Sequence, residues 1–207
     1  MQKKDLNKKY GVFLKEVKQR IKFAQYAALQ AVNKELINLY WDIGKIIVEK
    51  QKQEKWGKSV VERLAGDLQK EFVGIRGFSA RNIWRMRDFY LTYQENQILP
   101  PMVAEIGWSH NIVIMEKCKD PIQREYYIKM TRKYGWTKNL LINHIENQNF
   151  EKTVTNQVSV NKIISDNVSR QTELAVKDEY IFDFLELGEA YSEQELEQGL
   201  ILKKVLK

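Results

Sequence analysis

Gly74–Tyr90, GIRGFSARNIWRMRDFY, is the stretch whose reading decides the fold. It reads as a turn followed by a basic helix. Ser79 suits an N-cap, because its hydroxyl can accept from the free N–H groups of the first turn. Phe78 precedes the cap and Ile83 stands at the fourth helical position, a pairing that makes a hydrophobic staple. At about 100° per residue, Ile83, Met86, Phe89, Tyr90 and Tyr93 share one broad face. Arg81 and Arg85 share another, with Asp88 close by. A basic, aromatic-rich helix after a glycine-containing turn predicts a helix-turn-helix-like unit that meets nucleic acid. The same residues also fit a core helix with a solvated arginine face.

Charge extends this reading. The chain has 207 residues and a formal net charge of +7. Residues 1–150 hold 27 Lys/Arg and 16 Asp/Glu, 27 − 16 = +11; residues 151–207 hold 7 and 11, 7 − 11 = −4. A basic body followed by an acidic segment fits a polyanion partner. Three prolines and ten glycines favour long helices over a many-stranded β fold. Cys118 is the only cysteine, and His110 and His144 are the only histidines. A disulfide framework and a structural zinc site are therefore not expected. The N-terminus MQKKDLNKKYG lacks the apolar core of a signal peptide. No apolar run approaches the roughly 18–20 residues that span a bilayer. A soluble, cytoplasmic protein with no membrane partner is the expectation.

Outward from the central stretch, Tyr10 to about Gln53 is helical in pattern. Val12, Val17, Ile21, Ala24, Ala28 and Ala31 recur at threes and fours, and Leu36, Leu39, Tyr40, Ile43, Ile46 and Ile47 continue the rhythm. This predicts one long helix, or two with a break at Asn33. Ala24, Ala27, Ala28 and Ala31 would allow close packing, against a partner chain as a homodimer or within a hairpin. Ser59, with Glu62, is expected to cap the next helix. Further on, Trp108-Ser109 and Trp136-Thr137 repeat the aromatic-hydroxyl entry of Phe78-Ser79. Trp108 would staple to Val113 and Trp136 to Leu141. Asp120-Pro121 opens another helix, with proline in its first turn. Residues 149–170 read as a linker poor in periodicity. Beyond them, Ser192 starts an amphipathic helix supported by Glu195, with Leu196, Leu200, Ile201 and Val205 on its apolar face.

Several of these segments together resemble the YhcG family of bacterial proteins: LYWDIGKIIVEKQ, WGKSVVERLAGDLQKEF, GFSARNIWRMRDFY, VAEIGWSHNIVIMEKCKD, YGWTKNLLINHIE and KDEYIFDFLELGEAYSEQELEQGLI. The resemblance covers essentially the whole chain. It implies a PD-(D/E)XK nuclease family with an added N-terminal helical domain, the nuclease core lying C-terminal to it. The first helix of that core is similar to SEQELEQGLI, so the chain is expected to stop where the nuclease domain starts. Two positions depart from the family pattern. Phe72-Val73-Gly74 stands where Phe-Pro-Gly is usual, and Gly199 where alanine is frequent.

The implied organisation is mainly α. Residues 1–148 would form a multi-helix N-terminal domain with the helix-turn-helix-like unit, 149–176 a linker, and 177–207 a short helical remnant of a truncated α/β nuclease domain. A nuclease of this class needs clustered carboxylates and a lysine around Mg²⁺. The one clear Glu-X-Lys, Glu16-Val17-Lys18, lies in a helical pattern without strands. Glu197 matches the family's first core helix but has no strand carboxylates to join. Catalytic residues, a metal site and a cofactor are not expected in this chain, Mg²⁺ belonging to the missing core. The expected function is nucleic-acid binding, DNA in the first instance, through Arg76, Arg81, Asn82, Arg85 and Arg87, with Lys129, Arg132, Lys133 and Lys138 as a second patch. Arginine and lysine would neutralise phosphates and Asn82 would read a base edge. The alternatives are an interaction or dimerisation module without nucleic-acid binding, and a nonfunctional truncated nuclease.

Overall fold

The structure, a computed structural model, describes residues 2–55, 57–95, 102–155 and 180–181. It is mainly α: among the described residues there are α-helices, one short 3-10 turn and no strand. They are α1 (Gln2–Glu54), α2 (Lys58–Glu71), the 3-10 turn (Arg76–Phe78), α3 (Ala80–Tyr93), α4 (Trp108–Lys117), α5 (Pro121–Tyr134), α6 (Lys138–Glu146) and α7 (Asn149–Thr155). The expected remnant at 177–207, including Ser192 and Glu197, lies outside the described residues apart from 180–181. Among the described residues no helix is long and apolar enough to cross a membrane.

α1 runs without interruption for 53 residues, about 80 Å at 1.5 Å per residue. Of the two readings, the single long helix holds, and there is no break at Asn33. Asparagine is a poor helix former because its amide competes for backbone groups. Here that amide is occupied elsewhere: Asn33 Nδ2 donates to Ala104 O at 2.9 Å and Ile106 O at 3.1 Å. The side chain is buried and holds the loop before α4 against α1.

α1 supplies one wall of the core through Leu29, Leu36, Ile37, Tyr40 and Ile47. α3 lies across it and buries Ile83, Met86, Phe89 and Tyr93, the face that its periodicity predicts. The helices meet at Gly44, where a Cβ would stand 2.1 Å from Met86 O. The alanines at 24–31 do not make this contact; Ala24 and Ala31 are exposed, and Ala27 and Ala28 only half-buried. α4 packs on α3 and adds Trp108 and Ile112–Ile114 to the core; α5 and α6 pack on α4, and α7 packs on α5 and α6. Ile181 returns to the same core and is fully buried.

Helix entries follow local chemistry in part. Ser79 caps α3 and accepts from Asn82 N. Asp120 caps α5, accepting from Ile122 N at 2.7 Å, with Pro121 in the first turn. Thr137 caps α6 and accepts from Leu140 N. Gly135 closes α5 in the left-handed region at φ 58°, where a side chain is disfavoured. Three expectations fail. α2 begins at Lys58 after Gly57, so Ser59 is inside the helix. α4 begins at Trp108 after Gly107, so Ser109 is buried in its first turn rather than capping it. The segment expected to be a linker from 149 opens as α7, which packs on α5 through Phe150 and Tyr126 (5.4 Å between ring centroids).

Two glycines check the packing. Gly44→Ala should lower the urea midpoint by the equivalent of about 1–3 kcal/mol, because backbone must move to admit the methyl. Gly66→Ala in α2, which meets nothing within 4 Å, should raise it by about 0.5–1 kcal/mol through the helix preference for alanine.

Candidate nucleic-acid interface

The sequence expects α3 to bury one side and offer the other. Of its fourteen residues only Arg81 and Asp88 are exposed. It is the enclosed central helix of the domain, the second of the two readings that its residues allow. Asn82 in particular is not available to a base edge. It is buried, donates from Nδ2 to Gly77 O at 2.6 Å, and accepts from Trp108 Nε1 at 2.8 Å. Its oxygen and amide are both committed to holding the turn and α4.

The arginines of this helix are largely turned to the protein's own polar groups. Arg85, 19% exposed, bonds Glu116 on α4 through Nη2 at 2.7 Å and Nε at 2.9 Å. Arg87 donates to Gln51 at 2.7 Å and to Asp88 at 2.8 Å, and its guanidinium lies over Trp84. The Arg76 side chain lies outside the described residues. Arg81 alone of the first patch projects to solvent without an ion pair among the described residues.

The second patch is similar. Lys129 pairs with Glu125 at 2.5 Å, one turn earlier on α5. Arg132 pairs with Glu105 at 2.7 Å, and burial raises the Glu105 carboxyl above its usual pKa against the opposing pull of Arg132. Lys133 lies over the Tyr134 ring at 5.5 Å. Lys138, at the first position of α6, is exposed. Arg85 is tied to Glu116 near the end of α4 and Arg132 to Glu105 in the loop before it.

No group of three or more metal-ligating side chains occurs among the described residues. Glu16 of the Glu-X-Lys sits on α1 and pairs with Arg20 at 3.8 Å, out on the surface. The Cys118 thiol is buried and pushed up to about 12, foremost by desolvation, which keeps it protonated and unreactive. Burial also pushes the Tyr127 hydroxyl up to about 12. His144 stacks on Trp136 at 3.8 Å and bonds Asn149, and burial lowers its pKa below 6.5.

A different set of cations stands out. Lys8, Lys15, Lys18 and Lys22 on the first half of α1 are all exposed. At about 100° per residue they fall within roughly 80° of one another. None makes an ion pair among the described residues, while Arg20 on another side takes Glu16. Lys15, Lys18 and Lys22 line one shallow groove with Gly11, Leu14 and Gln19. The row lies on the side of α1 that carries Leu29, Asn33, Leu36 and Tyr40, and so prolongs the surface of the body along the helix. The signal that could have found it is the spacing of seven, three and four, which is legible in the sequence. The arginines of α3, set among aromatic residues, are the louder local pattern and mask it.

The fold and this surface define a helical, basic domain. Residues 16–152 match the DUF1016 N-terminal domain, and the chain belongs to that family. Among individual proteins, it is 26% identical over 214 residues to the Escherichia coli (strain K12) protein named "Putative nuclease YhcG", across 86% of this chain and 56% of that protein. The chain thus spans about half the length of the curated relative it matches. No solved structure matches it. The YhcG-family resemblance read from the sequence segments therefore holds.

Two substitutions test the assignments. Asn82→Ala leaves the Trp108 indole N–H and the Gly77 carbonyl without their buried partner. It should cost roughly 2–4 kcal/mol in chemical denaturation, at about 1–3 kcal/mol per orphaned group. His144 is held neutral in the fold, so the unfolded chain takes up its proton first as pH falls. Stability is full above about pH 6.5 and declines as pH falls through that value toward the lower folded pKa. Melting temperatures between pH 7.5 and 5.5 should show this decline, and His144→Gln should flatten it.

Proposed function

We propose that this chain is a nucleic-acid-binding N-terminal domain of the YhcG type, and that its contact surface is the lysine row of α1. The observation that carries this reading is the contrast in compensation. Arg85, Lys129 and Arg132 each face a carboxylate of another part of the chain or of their own helix, at 2.5–2.7 Å. Phosphate contact there would leave Glu116, Glu125 or Glu105 next to the polyanion. Lys8, Lys15, Lys18 and Lys22 carry no such penalty. A straight helical row of ammonium groups suits phosphates, which ask for charge and carry no sequence information. Arg81 and Lys138 are the members of the predicted set that are exposed and make no ion pair among the described residues, and they are secondary contacts in this reading. The +11 charge of residues 1–150 supplies the long-range attraction. The name of the Escherichia coli relative, a nuclease, agrees with a nucleic-acid partner.

The domain is thereby a positioning module, bringing a polyanion to whatever chemistry a full-length relative performs. Titration of the chain with duplex DNA at several salt concentrations tests it. Changing all four lysines to glutamine should weaken binding and reduce the salt slope by about 3–4, near 0.9 for each phosphate that is no longer neutralised. Arg85→Ala should leave that slope unchanged. A slope untouched by the four lysine changes would refute the row as the contact surface.

A further inference from the structure

A second feature of the same half-helix is apolar and borders the lysine row at Leu14. Tyr10, Leu14, Val17, Ile21, Ala24 and Ala28 recur at spacings of four, three, four, three and four. That is the a/d repeat of a coiled coil, sustained over three heptads. Tyr10 is 61% exposed, Leu14 37% and Ile21 48%. At about 100° per residue the seam centres some 110° away from the stripe that Leu29, Asn33, Leu36 and Tyr40 bury. The domain's own body therefore does not cover it. The six positions span about 80° of the helix, and exposed Val12, Phe13 and Phe23 stand beside them on the same half-helix.

We propose that this seam pairs with the same seam of a second copy of the chain, as an antiparallel coiled coil. The argument for a second copy is the gradation of size along the seam. Its first half carries tyrosine, leucine and valine; its second half carries isoleucine and two alanines. In an antiparallel pair centred near residue 19, Tyr10 of each copy faces Ala28 of the other, Leu14 faces Ala24, and Val17 faces Ile21. Every layer then joins an a position to a d position, and the large residues fill the space that the alanines leave. A parallel pair would set Tyr10 on Tyr10 and Ala28 on Ala28, bulging at one end and leaving voids at the other. Lys18 and Arg20 flank the seam, so the two copies bring like charges together. Salt should therefore strengthen this association, the opposite of its effect on polyanion binding.

Sedimentation of the full chain at micromolar concentration, after nuclease treatment, tests the pairing. The expected mass is twice 24.6 kDa, rising in dimer fraction with salt. Leu14→Glu with Ile21→Glu should return it to the monomer mass with helical content unchanged, since both residues are exposed. For the register, Val17→Cys chains mixed with Ile21→Cys chains should form the mixed disulfide in preference to either self-link; buried Cys118 does not compete. A monomer under all these conditions overturns the proposal. So do a dimer indifferent to the glutamates, self-linked Val17→Cys chains in preference to mixed ones, and a monomer that binds anionic vesicles through the seam.

Discussion

Asn82 is the joint on which the domain closes. Its amide donates to the 3-10 turn at Gly77 and accepts from the indole of Trp108 on α4. Trp108 meets Tyr40 of α1 edge-on at 4.8 Å and Phe89 of α3 at 5.1 Å. Tyr40 in turn lies against Gly77, where a Cβ would stand 2.4 Å from its hydroxyl oxygen. Four residues from α1, the turn, α3 and α4 thus form a closed ring. Each can take its place only when the other three are in theirs. A buried polar side chain fully occupied in this way specifies one arrangement, because any other leaves an amide or an indole N–H unpaired in an apolar core.

Two more buried asparagines repeat the device. Asn33 holds the carbonyls of Ala104 and Ile106 against α1. Asn111 donates to Val103 at 2.9 Å and Gly107 at 3.1 Å. The irregular segment before α4 has no helical partners for its carbonyls, and asparagine amides supply them. Three side-chain amides therefore carry the connections among α1, α3 and α4.

The same closure organises charge. Packing α4 between α3 and α5 brings Glu116 to Arg85 and the preceding loop's Glu105 to Arg132. The body thereby neutralises much of its own basic surface. The outer half of α1 extends beyond these partners, and its lysine row and apolar seam stay uncompensated on two different sides of one helix. A single helix thus carries the electrostatic surface and the packing surface of the proposed function, separated by about a third of a turn.

Local signals in the sequence are reliable where the physics is local. The buried face of α3, the caps at Ser79, Asp120 and Thr137, and Pro121 in the first turn depend on residues at most a few positions apart, and all are read directly. The lysine row is also local and equally legible, though the arginines of α3 draw the reading away from it. The choice between the two readings of α3 is not legible. Arg85 meets Glu116 across 31 positions, Arg132 meets Glu105 across 27, and Asn82 meets Trp108 across 26. Nothing in a helix's own periodicity reports a carboxylate or an indole that another helix will bring. Asn33 makes the same point from the opposite side. Its intrinsic preference marks a break, and a bond to a loop 71 residues away overrides it. By itself, then, the sequence determined most of the helices before residue 149, the buried face of α3, and the family. Only the tertiary structure decided which polar groups those faces spend on each other and which remain for a partner, because that depends on side chains meeting across the fold.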